Sequence, residues 1–366
     1  MESHSRAHQA VAALRHVLGP QWEFSLPDPA NRTFEIRHRN RGTLYIPPRS
    51  TPSWTELLTT LTTAFAARDV IRDECLPLRW GRETELTISA VQALDPLLKG
   101  GRALTYRKGF LPQPVVRFTG DRDERGDLLD GFLTAFVNVS RVQPITSIGE
   151  YAEALDDWLF VLSRLGFHAR HIEIHGRVEV WHRRQVAGVT LMFNHLDLAI
   201  GDLVLLWNTE NPESMGLDLG TGLERLAWAR TRRDWNGLVF GSFAEAAPAC
   251  VLDAVRTATL LLGSGITPSA RGAGGVARRV IATIPPSLVK LGVSAIVRSF
   301  HQHWAVSTNL PVPWPAICSA MEEEVASRSV RKSPRRHVGG ELVTPDGACP
   351  PDDGLVRSVA QPDTSH

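Results

Sequence analysis

The residues best suited to chemistry lie in the segment DLGTGLER at 218–225. Its two glycines, Gly220 and Gly222, allow the backbone to approach a ligand closely. The pattern predicts an extended chain that turns at the glycines and enters a helix at about Gly222, so that Arg225 falls in the first helical turn. A helix N-terminus beside an arginine is suited to a phosphate group. The alternative interpretation is an ordinary strand-to-helix turn with a surface arginine.

The same segment resembles motif 3 of class II aminoacyl-tRNA synthetases, in the form Asp-x-Gly-x-Gly-Leu-Glu-Arg of alanyl-tRNA synthetases. The resemblance implies that Arg225 holds the phosphates of ATP and lies against its adenine. It also implies that Asp218 binds the α-amino group of alanine. By the same resemblance, Gly220 would line both the ATP site and the amino-acid site, and Gly222 and Glu224 would line the ATP site.

An upstream hairpin is similar to motif 2 of the same family. The triplet Val-Val-Arg ends at Arg117, a charged loop follows, and FLTAFVNVS occupies 132–140. The resemblance implies that Arg117 clamps the α-phosphate, where charge develops as an adenylate forms. Asp127 and Phe132 would complete the ATP site. The glutamate that the family carries in this strand is Thr134 here, so one ATP contact is not inherited.

The expected amino-acid pocket lies between these two motifs. Trp181, followed seven residues later by Gly188, resembles a segment whose indole forms a wall of the alanine pocket. A buried core tryptophan is the alternative. In the strand GDLVLLW, Asp202 occupies the place of a substrate-binding asparagine, and a carboxylate there would attract an ammonium and repel a carboxylate.

The resemblance continues downstream through DAVR at 253–256, GSGITPS at 263–269 and GGVARR at 274–279, which look like the helical domain after the catalytic core. It covers about residues 84–300. The polar or basic residues that the family uses toward tRNA are replaced by Ala254, Ala270 and Ala282-Thr283. A basic cluster remains that either binds phosphate or forms a solvated helix face: Arg271, Arg278 and Arg279.

We therefore expect an enzyme that uses ATP to activate alanine, or a similar small amino acid, as an aminoacyl-adenylate and transfers it to a non-tRNA acceptor. That acceptor would be a small molecule, such as a nucleoside-like compound, or a carrier protein in specialised metabolism. Two alternatives stay open: a minimal alanine–tRNA ligase without editing, and a non-catalytic synthetase paralogue that binds or regulates. A tRNA partner is disfavoured, and a homodimer is left open.

The resemblance implies ATP and Mg²⁺ as cofactors, with the ion held on the nucleotide phosphates by few protein carboxylates. Asp127 and Glu224 are the candidates to assist it. No protein metal site is expected. His171 and His175 stand four apart in an alternating strand, which separates them by roughly 13 Å.

The pattern of elements predicts an α+β fold, with a class II synthetase-like antiparallel sheet flanked by helices, an all-helical domain after it and a disordered tail. Helices are expected at 5–18, 54–71 and 148–166. Strands are expected as a pair around the Asn-Arg-Gly turn within 34–48, and at 84–93, 113–119, 131–142 and 171–181. The charged loop at 120–127 joins the strands at 113–119 and 131–142. The domains expected are an α+β extension (1–80), the catalytic core (81–245), the helical domain (246–330) and the tail (331–366).

Composition narrows the class of protein. The chain has 366 residues and a formal net charge of +1, from 40 basic and 39 acidic side chains, which argues against coating nucleic acid by charge alone. Its 4 cysteines lie far apart and give neither a zinc knuckle nor a redox pair. No apolar run approaches the ~20 residues of a membrane helix. We expect a cytoplasmic protein without a membrane partner, an editing domain or a C-terminal tRNA-binding region.

Overall fold

The computed structural model describes residues 2–25, 32–100, 109–124, 126–290 and 292–332. The tail expected at 331–366 lies, from residue 333 onward, outside these ranges. No helix in the described part of the chain is long and apolar enough to cross a bilayer.

The strands of the described residues form one ten-stranded sheet, in the order β1-β2-β6-β8-β9-β10-β5-β4-β3, with β7 paired to β8. Only β3 and β4 pair in parallel, and every other pairing is antiparallel. The strands are β1 (Trp22–Phe24), β2 (Thr33–His38), β3 (Ile71–Arg72), β4 (Gly109–Val116), β5 (Ala135–Ile145), β6 (Ile172–Arg177), β7 (Trp181–Arg183), β8 (Val186–His195), β9 (Leu198–Asn208) and β10 (Met215–Gly222).

Eleven α-helices accompany this sheet in the described residues, and every element after β10 is helical. The predicted α+β class, with a mainly antiparallel sheet and helices, is confirmed. The helices are α1 (Glu2–Leu18), α2 (Trp54–Ala66), α3 (Asp95–Leu98), α4 (Ile148–Arg164), α5 (Leu223–Thr231), α6 (Trp235–Phe240), α7 (Ala249–Gly263), α8 (Gly272–Ala282), α9 (Pro286–Lys290), α10 (Ser294–Ala305) and α11 (Trp314–Lys332).

Local signals explain why several helices begin where they do. Ser53 accepts a hydrogen bond from the backbone N–H of Glu56, whose carboxylate accepts one in return, and this capping box starts α2. The same device starts α4 at Ser147 with Glu150. Gly222 is the extended N-cap of α5, which confirms the predicted turn from strand to helix.

Three sequence-based expectations were wrong. The strand expected at 84–93 is a single bridge to Leu86 followed by a 3₁₀ helix, Ala90–Leu94, because Ser89 caps that turn. The second strand expected around Asn40-Arg41-Gly42 has no partner, because β2 pairs with β1 and β6 instead. The helix expected to reach residue 71 ends at Ala66, and the chain turns through Asp69, with φ at +57°, into β3.

Alternation along the strands gives the sheet two different faces. One face packs against α1, α2 and α4 and carries the buried apolar side chains of every central strand, such as Ile174, Leu203 and Leu217. The other face, called the open face below, is covered only in part by Ala90–Leu94 and α3. Its central row of cross-strand partners consists of Glu35, His175, Met192, Asp202, Gly220, Ser140 and Leu111.

Residues 1–80 share this sheet. β1 and β2 form one edge, and β3 forms the other. One continuous apolar core extends from α1 through the sheet to α11. The residues expected as an N-terminal extension therefore supply both edges of the sheet that carries the site.

A buried histidine makes the stability of this core depend on pH. His195 packs edge-on against Tyr45 and Phe167, with ring centroids 4.6 and 4.8 Å away, and its Nδ1 lies 3.1 Å from the carbonyl oxygen of Ala229. Burial, helped by the charge of Arg232, lowers the pKa of His195 from 6.5 to about 4. Between these two pH values, His195 therefore stays neutral in the folded protein but is protonated in the unfolded chain.

We expect His195→Phe to weaken the acid sensitivity of the fold. The stability that comes from a neutral His195 is complete above pH 6.5 and is lost as the pH falls toward 4. The variant should lose about 1 kcal/mol at neutral pH, because the carbonyl of Ala229 loses its donor. Urea unfolding from pH 4.5 to 7.5 measures both effects, and a curve parallel to that of the parent protein would contradict the assignment.

Candidate functional site

The site is built where two parallel strands end on either side of a third. β4 and β10 both pair antiparallel with β5, so they run parallel to each other and their carboxyl ends meet at the start of β5. Arg117 follows the last residue of β4, and Arg225 lies in the first turn of α5, directly after β10. The structure thus brings both predicted arginines to one end of the sheet.

Arg117 is half-buried and held by the main chain. Its Nε and Nη2 donate to the carbonyl oxygen of Ile88, at 3.1 and 2.7 Å, and its guanidinium carbon lies 5.4 Å from the ring centroid of Phe136. Burial lowers the pKa of Arg117, whereas Asp202 and Asp218 act to raise it. The position of the arginine is therefore fixed by groups that leave its charge unneutralised.

Arg225 is held in the same way. Its Nη2 donates to the carbonyl oxygen of Gly131 at 2.7 Å, and its guanidinium carbon lies 5.3 Å from the ring centroid of Phe132. Burial and the charge of Arg117 lower the pKa of Arg225. Gly131 has a φ of +89°, and a Cβ there would come within 2.9 Å of the Trp228 ring, so the contact with Arg225 requires glycine.

Two half-buried carboxylates, Asp202 and Asp218, interact electrostatically with Arg117. Asp202 on β9 pairs directly with Gly220 on β10, and Asp218 precedes Gly220 by two residues, so both side chains lie on the open face. The hydroxyl of Ser140 donates to Asp218 Oδ1 at 2.7 Å. The Asp202 carboxylate lies close to Gly220, since a Cβ there would be 3.3 Å from Asp202 Oδ1 and 3.6 Å from Asn138 Nδ2.

Burial raises the pKa of both carboxyl groups. That of Asp202 rises to about 7, through burial and then through the charge of Asp218, against an opposing effect of Arg117. Burial raises the pKa of Asp218 to about 6, although Ser140 and Arg117 act to lower it. A ligand cation would favour the charged form of both groups.

Trp181 lies on the open face, where its indole extends over β8. It is on β7, so that β8 and β9 separate it from Asp218 on β10. Its ring covers Gly188, where a Cβ would come within 2.6 Å of the indole, and its Nε1 donates to the hydroxyl of Thr190 at 3.1 Å. The side chain is 37% exposed, so it is not a core tryptophan.

Glu224 is turned away from the open face and is 1% exposed. Its carboxylate forms an ion pair with Arg256, lies 3.3 Å from His303 Nε2 and accepts from the backbone N–H of Val137. Burial alone would raise the pKa of Glu224, but Arg256 and His303 outweigh it and hold the pKa low. We therefore leave Glu224 out of the ATP site, since all of its capacity is used within the protein.

Asp127 is also engaged within the protein. Its Oδ1 accepts from the backbone N–H of Cys250 at 3.3 Å, in the first turn of α7. Its own N–H donates to the side chain of Asp123 at 2.9 Å. The predicted loop residue thus joins the β4–β5 loop to α7.

Sequence reasoning missed the histidine of the Glu224 network and the stacking role of Phe136. His303 is 47 residues from Arg256 and has no recognisable motif around it, and only its contacts reveal it. The alternation of FVNVS at 136–140 places Phe136, Asn138 and Ser140 on one face, and that signal was available.

A second polar cluster lies across the open face at the β2 edge. Glu35, Glu173 and His175 each place one side-chain oxygen or nitrogen atom within 4.8 Å of the other two. Arg37 Nη2 is 2.5 Å from Glu35 and 3.3 Å from Glu173, so the guanidinium already neutralises these carboxylates. His171, by contrast, is buried beneath Tyr45.

No protein-family model matches this chain, and no curated protein matches it significantly.

We expect Glu224→Gln to destabilise the fold by about 3 kcal/mol, because it leaves the charge of Arg256 buried without a counter-ion. Urea unfolding measures the loss. Adding Arg256→Met should restore part of it, since the double variant buries no charge. Strictly additive effects in that double-mutant cycle would contradict the coupling.

We expect Asp202→Asn to stabilise the protein above neutral pH. A raised carboxyl pKa means that the stability from the neutral form is complete below 3.8 and is lost as the pH rises toward 7. The variant should unfold at higher urea than the parent at pH 8, by on the order of 1–2 kcal/mol after allowing for solvent screening. Equal stabilities at pH 8 would show that Asp202 is well solvated.

Proposed function

We propose that this protein activates a small amino acid with ATP as an aminoacyl-adenylate. The observation that carries the proposal is the placement of two carbonyl-anchored arginines at the end of the sheet and of two half-buried carboxylates on the adjoining open face. The sequence resemblance to alanyl-tRNA synthetases favours alanine or a similar amino acid. We also propose that the protein is cytoplasmic and that it transfers the activated amino acid to an acceptor other than tRNA.

The arginines suit the polyphosphate. A carbonyl oxygen fixes each guanidinium without cancelling its charge, so Arg117 and Arg225 present positive charge in a partly water-excluded place. Fixed charges of this kind stabilise negative charge that develops on a phosphorus centre. The reaction needs no protein nucleophile: the amino-acid carboxylate forms a C–O–P bond to the α-phosphorus, the bond to the β-phosphate oxygen breaks, and pyrophosphate leaves.

The carboxylates suit the amino group. An ammonium beside Asp218 and Asp202 would offset the burial of their charges. Asp218 lies on the same strand as the glycines that lead into α5, and Asp202 lies on the neighbouring strand, so the amino acid would lie next to the phosphate end of the nucleotide.

The adenine requires a small rearrangement. Arg225 stacks on Phe132 at 5.3 Å, which is too close for a base to lie between them. A base that entered between the two groups would separate this pair and exchange the bond to Gly131 for ligand contacts. We propose that Arg225 moves and that Arg117 stays, because two donors fix Arg117 to Ile88.

The two acids expected to assist a magnesium ion are already engaged within the protein. Glu224 is paired with Arg256, and Asp127 accepts from the backbone of α7. Mg²⁺ would arrive on the nucleotide phosphates and neutralise part of their charge.

We expect Arg117→Ala and Arg225→Ala each to reduce amino-acid-dependent ATP–pyrophosphate exchange by at least about 100-fold, because each removes a charge aimed at the phosphates. Arg184→Ala is the matched control and should exchange at the parental rate, since this arginine side chain is 76% exposed. Either site variant exchanging at the parental rate would contradict the placement of ATP.

Assays on the same purified protein distinguish this function from two alternatives. Exchange followed by acylation of alanine tRNA would favour a minimal tRNA ligase, which the replacements at Ala254 and Ala270 disfavour. Absence of exchange with any amino acid would favour a binding or regulatory paralogue.

A further inference from the structure

Asp202 is a carboxylate without a partner in the proposed amino-acid site. Among the described residues, its side chain forms no ion pair within 4 Å, and the charge of Arg117 lowers its pKa without offsetting the effect of burial. Asp218, by contrast, accepts from the hydroxyl of Ser140. Most other acids buried in the described part of the chain have a cationic partner: Glu224 has Arg256, and Asp157 has Arg141.

We propose that Asp202 determines specificity and that the preferred substrate carries a second ammonium, as a short diamino acid does. This inference rests on the proposed function. It concerns which amino acid enters the site, and nothing else in the reaction depends on it.

Charge balance is the first argument. When Arg117 binds phosphate, its charge no longer serves the two carboxylates, and the pair then carries two negative charges against one ammonium of alanine. One half-buried carboxylate would stay uncompensated, or would have to take up a proton. A diamino acid supplies one cation to each carboxylate.

Geometry is the second argument. Asp202 stands opposite Gly220, and Asp218 is two residues before it on the same face, so the two aspartates are diagonal neighbours. Such neighbours are about 7–8 Å apart in the backbone, and their carboxylates can contact two amines of one flexible molecule. Gly220, the cross-strand partner of Asp202, adds no side chain of its own beside them.

The room beyond the carboxylates is the third argument. Along the same row of the open face, Met192 is the neighbour of Asp202 on β8, and this side chain is half-buried and flexible. Trp181 covers Gly188 of this same strand, β8, and donates to the hydroxyl of Thr190. A bound side chain that extends from Asp202 along this row would therefore meet the flexible thioether of Met192.

The test compares substrates in ATP–pyrophosphate exchange. We expect kcat/KM for 2,4-diaminobutyrate or ornithine to exceed that for alanine by at least tenfold at pH 7.5. Asp202→Asn should abolish this preference by raising KM for the diamino acids, with kcat little changed. Asp197→Asn is the matched control, because this aspartate lies in the β8–β9 turn with its side chain 75% exposed, and it should leave the preference intact.

A preference for alanine in the parent protein, or a ratio unchanged in Asp202→Asn, would overturn the inference and leave the proposed function standing. If no amino acid supports exchange, the proposed function fails and calorimetric titration without ATP decides about Asp202. Tighter binding of 2,4-diaminobutyrate than of alanine, lost in Asp202→Asn, would support its role, and equal binding would overturn it.

Discussion

The buried ion pair between Glu224 and Arg256 is the interaction on which the rest of the structure depends. Glu224 lies in the first turn of α5 and Arg256 in the middle of α7. Arg256 also donates to the carbonyl oxygen of Ala135 on β5 and stacks on Trp304 of α10, at 4.3 Å from the ring centroid. A charge pair so far from water is stable only with every partner in place, so four elements are fixed to one another.

This ion pair positions the site, because adjacent residues of α5 point in opposite directions. Glu224 points into the core, and Arg225 points toward the open end of the sheet. Fixing the rotation of α5 through Glu224 therefore fixes the direction of Arg225. The neighbouring Asp253 accepts from the backbone N–H of Thr134, just ahead of β5, which ties the β4–β5 hairpin to α7 at a second point.

Local features of the site could be predicted from the sequence, whereas its long-range partners could not. The turn into α5 follows from two glycines before an apolar helical pattern, and the capped start of α2 follows from Ser53. The strand expected at 84–93 failed because a capping pair, Ser89 with Gln92, outweighs alternation over so short a stretch. The pairing of Glu224 with Arg256 and His303 spans 32 to 79 positions, and no local propensity encodes such contacts.

The buried and half-buried arginines of the site and of the core differ in their partners, which are carboxylates in the core and carbonyl oxygens at the site. The arginines of the site therefore keep their positive charge. Arg256 and Arg141 pair with carboxylates, so their charges are cancelled within the fold. Arg117 and Arg225 are held by carbonyl oxygens, which fix direction without removing charge.

The acids divide in the same way. Asp157 pairs with Arg141, whereas Asp202 has no cationic partner within 4 Å among the described residues. Arg117 compensates the charges of Asp202 and Asp218 only in part, because burial raises the pKa of both carboxyl groups in spite of it. A ligand that brought anionic groups to the arginines and cationic groups to the aspartates would supply the remaining countercharges.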